Sequence, residues 1–593
     1  MSSEHLLNNI SNVSDETEFY TPRPAGYREG KTKYVVVVGS VMSGLGKGIF
    51  SSSLAKILKD KGLTVAPVKL EGYLNLDSGT LNPYRHGEVF VLDDGMECDM
   101  DLGTYERMLD QNLSRRNFVT SGQIFNRVLE KERLGGYLGR DVLMIPHVTG
   151  EVKLRLRELA VESDADVVFV EIGGTVGDVE NAYYFEAMRE LAFEEGPDSA
   201  CFVVLTYIIE PPALGEQKSK AAQLGIRALL ECGIQPHIVA CRGRHRVTQK
   251  VREKLAMYTN VPLDRVISMH DCESIYLIPE MLRGAGMDTA VVDILKLHDR
   301  VHPEAEQKAR ATWSDLLRKQ READTEVTIG IAGKYTSVRD SYASVIKALE
   351  HSGAHAGVRV NIDWIDTTDL TEANVAEQLG HLNGLLLPGG FGVRGAEGKI
   401  VAVRFAREHR IPFLGICFGF QLAVVEFARN VCGLAGANSR EIVPDCPHPV
   451  IDILPEQKAI EGLGGNMRLG GRDVSIKAGT RAHQLFNFAT EVRMRFRHRW
   501  EVEPKYIERL EAGGLVFSGK APDYPIMQVL ELPADAHPYF LATQAHAEMT
   551  SRPLRPDPLY LGLVRAAIEN KHPMTDDASQ SADSAATGEL TTS

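Results

Sequence analysis

Residues 35–58, VVVVGSVMSGLGKGIFSSSLAKIL, pass from an unbroken apolar run through a glycine-rich turn that closes on Lys47 into an amphipathic helical pattern. A strand that is apolar at every position has to be covered on both faces, which points to a parallel sheet flanked by helices. The rhythm recurs in TVAPVKL, DVVFVEIGG, ACFVVLTYI and HIVACR, separated by helical patterns such as AAQLGIRALLEC. Strands that alternate with helices predict an α/β fold.

The chain has 593 residues, more than one hydrophobic core can serve, so at least two domains are expected. Residues 1–33 are polar and broken by Pro22, Pro24 and Gly26, and 572–593 have almost nothing to bury; both are expected to be disordered tails. A first α/β domain is expected over 34–300. The charged stretch VHPEAEQKARATWSDLLRKQREADTE, 301–326, reads as a helical linker, and a second α/β domain opens with VTIGIAGKY and runs over 327–571.

The net charge of -14 argues against nucleic-acid binding. The eight cysteines lie far apart without zinc-finger spacing, as expected of a reducing cytosol. The acidic N-terminus is no signal peptide and no run of about 20 apolar residues occurs, so neither secretion nor membrane insertion is expected.

In the loop GSVMSGLGKG, residues Ser43, Gly44, Leu45, Gly46, Lys47 and Gly48 supply what a triphosphate requires. Small residues let backbone N–H groups approach, a helix N-terminus stands behind them, and one lysine acts as a point charge. The usual phosphate-loop pattern places Gly where Val41 stands and Ser or Thr where Gly48 stands. Without that hydroxyl, Mg²⁺ needs carboxylates from elsewhere; Asp99 and Asp101 in DDGMECDMDLGTYER and Glu171 in VEIGGTVGD are the candidates.

GICFGF sets Cys417 between Gly415 and Gly419, after the apolar PFLGI and before the helical QLAVVEFA. This is the cysteine counterpart of a G-x-S-x-G elbow, in which a sharp turn lifts the nucleophile above the sheet and a helix N-terminus favours the thiolate. LLLPGGFG ends a strand in glycines whose N–H groups can form an oxyanion hole. His546 in TQAHAE is the candidate base, and Glu548, two positions on along extended chain, can orient it.

With these residues in hand, the chain from about 34 to 571 resembles CTP synthase. The resemblance is carried by SGLGKG, HGEVFVLDDG, LGTYER, KER with YLG, VEIGGTVGD, SIYLIP, GKYTSVRDSYASVIKALEHS, PGGFGVRGAEGKI, GICFGFQLAVVEFARN, GGNMRLG and SRPLRP, and the second-domain wording looks closest to animal enzymes. It implies a dethiobiotin-synthetase-like phosphate-loop domain joined to a class I glutamine amidotransferase domain. In that family ATP phosphorylates O4 of UTP, and ammonia released from glutamine is channelled to displace the phosphate and give CTP. Mg²⁺ is the implied cofactor, GTP an activator and CTP a feedback inhibitor. A cytoplasmic homotetramer able to build filaments is implied as well, with His351 matching a filament contact.

Residue by residue, the resemblance implies that Lys47 and Lys69 steady the transferring phosphoryl group and that Asp101 and Glu171 hold the metal. Asp178, Glu180, Lys218, Lys220 and Gln223 match pyrimidine-nucleotide positions. Cys417, His546 and Glu548 match the glutaminase triad, and Gly389, Gly390, Gln421, Glu441 and Arg497 match glutamine-site or oxyanion positions. His86 matches a residue linked to ammonia transfer and GTP response, and Arg394 a lid residue implicated in GTP activation. The chain departs from the family wording at Ser40, Glu71 with Gly72, Ala221 with Ala222, Phe496 and Ala547. Two other readings stand beside it: a cobyrinic-acid-type amidase, which lacks the HGEVF, EIGGTVGD and KSK segments, and a weakened paralogue acting as a regulatory or filament subunit.

Overall fold

The computed structural model describes residues 20–137, 139–334, 338–453 and 467–571; the remaining parts of both expected tails lie outside these residues. The chain forms two compact units, one of residues 20–80 and 101–313, the other of residues 81–100 and 314–571.

The first unit is built on seven parallel strands: β1 (Lys33–Gly39), β2 (Val65–Glu71), β3 (Phe118–Thr120), β4 (Val167–Ile172), β5 (Ala200–Tyr207), β6 (Ile238–Gly243) and β7 (Val266–His270). Their order is β3-β2-β4-β1-β5-β6-β7. Every residue of β4 is buried, the signature of a sheet covered on both faces. The parallel register sets Glu171 beside Val37 on one side and Lys69 on the other, so charged side chains meet at the carboxyl ends of the central strands. Helix α1 (Lys47–Asp60) leaves β1 through the glycine-rich loop.

Residues 20–32, expected to be disordered, instead pack on this unit. The Tyr20 ring meets Tyr137 edge-on, the Tyr27 and Tyr34 hydroxyls are 2.8 Å apart, Arg157 donates to the Pro22 carbonyl at 3.3 Å, and the Gly30 N–H donates to Glu195 at 3.0 Å. Two tyrosines and a glycine turn anchor a segment whose average composition is polar. The first half of the expected linker is also docked. In α2 (Pro303–Arg321), Trp313 is 1 % exposed, its indole N–H donates to the Tyr276 carbonyl at 3.0 Å, and the Lys56 ammonium lies 4.1 Å from its ring centre.

The second unit carries nine strands: β8 (Thr325–Gly333), β9 (Val358–Asp366), β10 (Gly384–Leu387), β11 (Phe413–Ile416), β12 (Arg468–Ile476), β13 (Glu491–His498), β14 (Val516–Lys520), β15 (Met527–Glu531) and β16 (Phe540–Thr543). Their order is β9-β8-β10-β11-β16-β15-β14-β12-β13, parallel from β9 to β16 and antiparallel beyond. Residues 81–100, expected within the first domain, pack with this unit. Arg493 Nη2 meets Asp93 at 2.8 Å, Arg497 Nε meets Glu97 at 2.7 Å, the Gly471 N–H donates to the Asp93 carbonyl at 2.7 Å, and the Ser344 N–H donates to Glu88 at 2.9 Å. Complementary charge decides where this acidic segment goes, which apolar periodicity does not register.

Trp313→Ala removes a buried aromatic side chain together with a hydrogen bond and a cation–π contact. We expect the first unit to lose about 3–5 kcal/mol, seen in calorimetry as a lowered transition for that unit; an unchanged transition would show that the docked helix contributes nothing to it.

Candidate active sites

In the first unit the loop after β1 takes up the conformations a phosphate cradle requires, in spite of its unusual sequence. Gly44 and Gly46 have φ of 74° and 79°, and Val41, standing where the common pattern has glycine, has φ of 76°. A β-branched residue in that region is strained, so the turn is imposed by its surroundings rather than chosen by the side chain.

Gly48 has an equally local explanation. A Cβ there would come within 2.3 Å of Asp101 Oδ1, so the Asp101 carboxylate occupies the space that a Ser or Thr side chain would need. The Lys69 ammonium lies 2.6 Å from Asp101 Oδ2, 2.6 Å from Glu171 Oε1 and 3.5 Å from Glu71 Oε1. Lys47 donates to the Gly174 carbonyl at 2.6 Å. Two ammonium groups thus face three carboxylates at the strand ends. Burial raises the pKa of Glu171 and of Glu71 although Lys69 pulls the other way; burial lowers that of Lys47, with repulsion from Lys69 adding to it. Of the acidic candidates, Asp101 and Glu171 share the Lys69 ammonium.

The nucleotide positions taken from the resemblance are less uniform. The Asp178 carboxylate closes its own turn by accepting from the Thr175 N–H at 2.7 Å, while Glu180 is exposed and its Cβ would lie 3.4 Å from one on Gly72. Lys218 and Lys220 are exposed, and Gln223 donates to Ser219 at 3.1 Å. Ala222, one of the departures from the family wording, is 0 % exposed and packs within the apolar core of this unit.

The second unit brings together the carboxyl ends of three neighbouring parallel strands, where ligands of open α/β sheets bind. Leu387 pairs with Gly415 and Ile416 with Thr543, so β10 leads into Gly389 and Gly390, β11 into Cys417, and β16 into His546. Cys417 has φ of 51° and ψ of -97° and begins helix α3 (Phe418–Asn430). Its Sγ is 3.5 Å from Gln544 Nε2 and 3.8 Å from the Arg497 carbonyl oxygen. His546 Nδ1 lies 2.7 Å from Glu548 Oε1. Burial alone would depress the His546 pKa, but the Glu548 carboxylate and the Cys417 sulfur outweigh it and raise it well above the ordinary value. The carboxylate and the sulfur thus favour the protonated imidazole.

Gly389 is required for space, since a Cβ there would stand 2.8 Å from His546 Cε1. Gln421 donates to the Trp500 carbonyl at 3.2 Å and to Gln544 at 3.3 Å, and its buried Oε1 has no partner, an acceptor available to a ligand. Glu441 accepts from the Gly392 N–H at 2.8 Å and so ties the glycine loop. Arg497 reaches the site through its backbone carbonyl, while its guanidinium is paired with Glu97. Arg394 is exposed beside Phe391, itself 54 % exposed, and His86 is exposed at the end of the short helix Pro83–His86. His351, matched to a filament contact, is 2 % exposed and within 3.0 Å of Ser551 Oγ, so it presents no surface in this chain.

Sequence reasoning missed Gln544 and Glu97. The first lies two positions before His546, just past the end of β16, and is recognised by its contact with the Cys417 sulfur; the second needed the tertiary pairing of the 81–100 segment.

Gly389→Ala should push the imidazole from the sulfur without disturbing the core. We expect stoichiometric alkylation of Cys417 by iodoacetamide to slow at least about tenfold, which is about 1.4 kcal/mol in barrier, at unchanged melting temperature. An unaltered alkylation rate would remove the close Gly389–His546 packing from the account.

Comparison with known proteins agrees with this geometry. Residues 33–297 match the family described as CTP synthase N-terminus, and residues 337–566 match glutamine amidotransferase class-I. A CTP synthase of Thermococcus gammatolerans is 49 % identical over 542 residues, 91 % of this chain and 99 % of the relative. One from Pyrococcus furiosus is 49 % identical over 541 residues, 91 % of this chain and 98 % of the relative. With both family models matched in order along the chain, and relatives matched over almost their whole length, the chain belongs to the CTP synthase family.

Proposed function

We propose that the two units carry the two half-reactions of glutamine-dependent amination of UTP to CTP. The observation that carries this reading is the pair of complete constellations in one chain: Lys47, Lys69, Asp101 and Glu171 in one unit, Cys417, His546 and Glu548 in the other. Both are intact, so nothing favours a weakened regulatory subunit.

In the first unit, O4 of UTP attacks the γ-phosphorus of ATP; the new P–O bond forms as the bond to ADP breaks. Lys47 and Lys69 place positive charge where the phosphoryl oxygens lie, and the loop N–H groups hold the remaining phosphates. The Asp101 and Glu171 oxygens converge on one cation, Lys69 Nζ, and are hard donors. Among the described residues no three His, Cys, Asp or Glu side chains form a ready-made cage. This fits Mg²⁺, which is held through one or two carboxylates and completes its shell from phosphates and water. When bound, the ion would neutralise charge on the phosphates. Asp178, Glu180, Lys218, Lys220 and Gln223 are proposed for UTP and for feedback by CTP.

In the second unit, the Cys417 thiolate attacks the carboxamide carbon of glutamine. The carbonyl electron pair moves to oxygen under the N–H groups of the Gly389–Gly390 loop, and collapse breaks the C–N bond as His546 gives its proton to the departing ammonia. Water, deprotonated by His546, then cleaves the thioester to glutamate and frees the thiol. The ammonia displaces phosphate from the phosphorylated UTP to give CTP. Gln421, Glu441 and Arg497 are proposed to bind glutamine, and His86 and Arg394 to serve ammonia transfer and GTP response. A cytoplasmic homotetramer, extending to filaments, completes the reading; no helix of the described residues is long and apolar enough to cross a membrane.

Lys47→Ala is expected to abolish CTP formation from glutamine and from ammonium alike while glutamine hydrolysis persists; near-normal CTP synthesis would sink the role of the loop. Cys417→Ala is expected to end glutamine-dependent CTP formation and leave the ammonium-dependent rate comparable to that of the unaltered protein. Retained glutamine use would dismiss Cys417 as the nucleophile, and loss of both activities in a folded protein would contradict the division of labour.

A further inference from the structure

Lys399 lies in helix α4 (Ala396–Glu408), the second turn after the glycine loop, and its side chain points inward. It is 1 % exposed. Its ammonium is 5.1 Å from the centre of the Phe418 ring and 3.4 Å from where a Cβ on Gly390 would be. No carboxylate and no hydrogen-bond acceptor is paired with it among the described residues, in contrast to the buried Lys47, Lys56, Lys69 and Lys153, each of which has an oxygen partner. An ammonium without an oxygen partner is costly to keep on a buried side chain, which raises the question of what use the charge has there.

Its position says what that use is. Gly390 belongs to the glycine loop at the end of β10, and Phe418 follows the nucleophile directly. In a nucleophile elbow the oxyanion receives N–H groups from such a loop and from the residue after the nucleophile. Lys399 is packed against Gly390 and the ring of Phe418.

We propose that Lys399 is an electrostatic positioning residue of the glutaminase site, its ammonium setting the local potential behind Gly390 and Phe418 so that negative charge on Cys417 and on the substrate oxygen is favoured. The inference rests on the glutaminase reading of Cys417. Lys399 makes and breaks no bond. It acts through the field at the two peptide groups, as a fixed cation does in a site that excludes water. Burial brings its pKa down to about 7, repulsion from Lys334 adds to the fall, and the Cys417 sulfur opposes it. Negative charge formed at Cys417 or on the substrate oxygen therefore holds the proton on Lys399 during the reaction. The titratable groups that act on it are Lys334 and Cys417; His546 and Glu441 border the same glycine loop, at Gly389 and Gly392.

The test replaces the charge at nearly constant shape in the full chain. For Lys399→Met we expect glutamine-dependent kcat to fall at least about tenfold with less than about threefold change in the KM for glutamine. The melting transition of the second unit serves as the fold control, and CTP formation from ammonium, which the first unit carries, should change less than twofold. The pH midpoint for iodoacetamide alkylation of Cys417 should move upward, and Lys399→Arg should recover part of both losses. A glutamine-dependent kcat within twofold of the unaltered protein, or an alkylation profile superimposed on it, would overturn the proposal. If the methionine variant does not fold, Lys399→Gln is read by the same two measurements. Cys417→Ala, assayed alongside, reports separately on the nucleophile: glutamine use without the sulfur would remove the reading on which this inference stands.

Discussion

The second unit depends on a backbone that is bent against its own preference at Cys417. A φ of 51° with ψ of -97° is a conformation that a side-chain-bearing residue adopts only when its surroundings over-determine it, at a cost on the order of 1–3 kcal/mol. Here the Cys417 N–H donates to the Thr543 carbonyl at 2.7 Å, which fastens the turn to the neighbouring strand. The flanking glycines answer to the same crowding. A Cβ on Gly419 would meet the Leu387 oxygen at 2.4 Å, and one on Gly415 would meet Ala542 and the Gly419 carbonyl at 2.9 Å. Because the elbow is clamped between β10 and β16, the sulfur, the glycine loop and the imidazole meet at one edge of the sheet.

The first unit solves a related problem with charge. Its loop also ends a central parallel strand and also keeps a strained residue, Val41, but what gathers at the strand ends is a set of ammonium and carboxylate groups. Asp101 excludes a side chain at position 48, and Lys69 holds the same carboxylate from the other side. The missing hydroxyl and the neighbouring acid are two views of one packing decision.

These differences explain what was legible in the sequence. Cys417, His546 and Glu548 were readable because their chemistry follows from short-range spacing, an elbow between two glycines and a base with its acid two positions on. The extended chain expected for that pair is instead a 3-10 turn, Ala547–Met549, that begins at His546 and still brings the two side chains together. The parallel sheets were readable from apolar runs. The packing of residues 20–32 was not, since Tyr20 and Tyr27 act singly within a polar stretch, and the burial of Ala222 and His351 was not, since a family match gives a position without saying which way the side chain faces. Lys399 was invisible for a third reason. Lysine four positions into an amphipathic helix reads as a surface residue until the structure shows its ammonium inside.

The 81–100 segment has a consequence in time. Asp93 and Glu97 find Arg493 and Arg497 at a sequence separation of 400 residues. With chain growth of about 5–20 residues per second, the arginines leave the ribosome roughly 20–80 s after the acids they pair with. For that interval the two carboxylates are without the arginines that hold them in the folded chain.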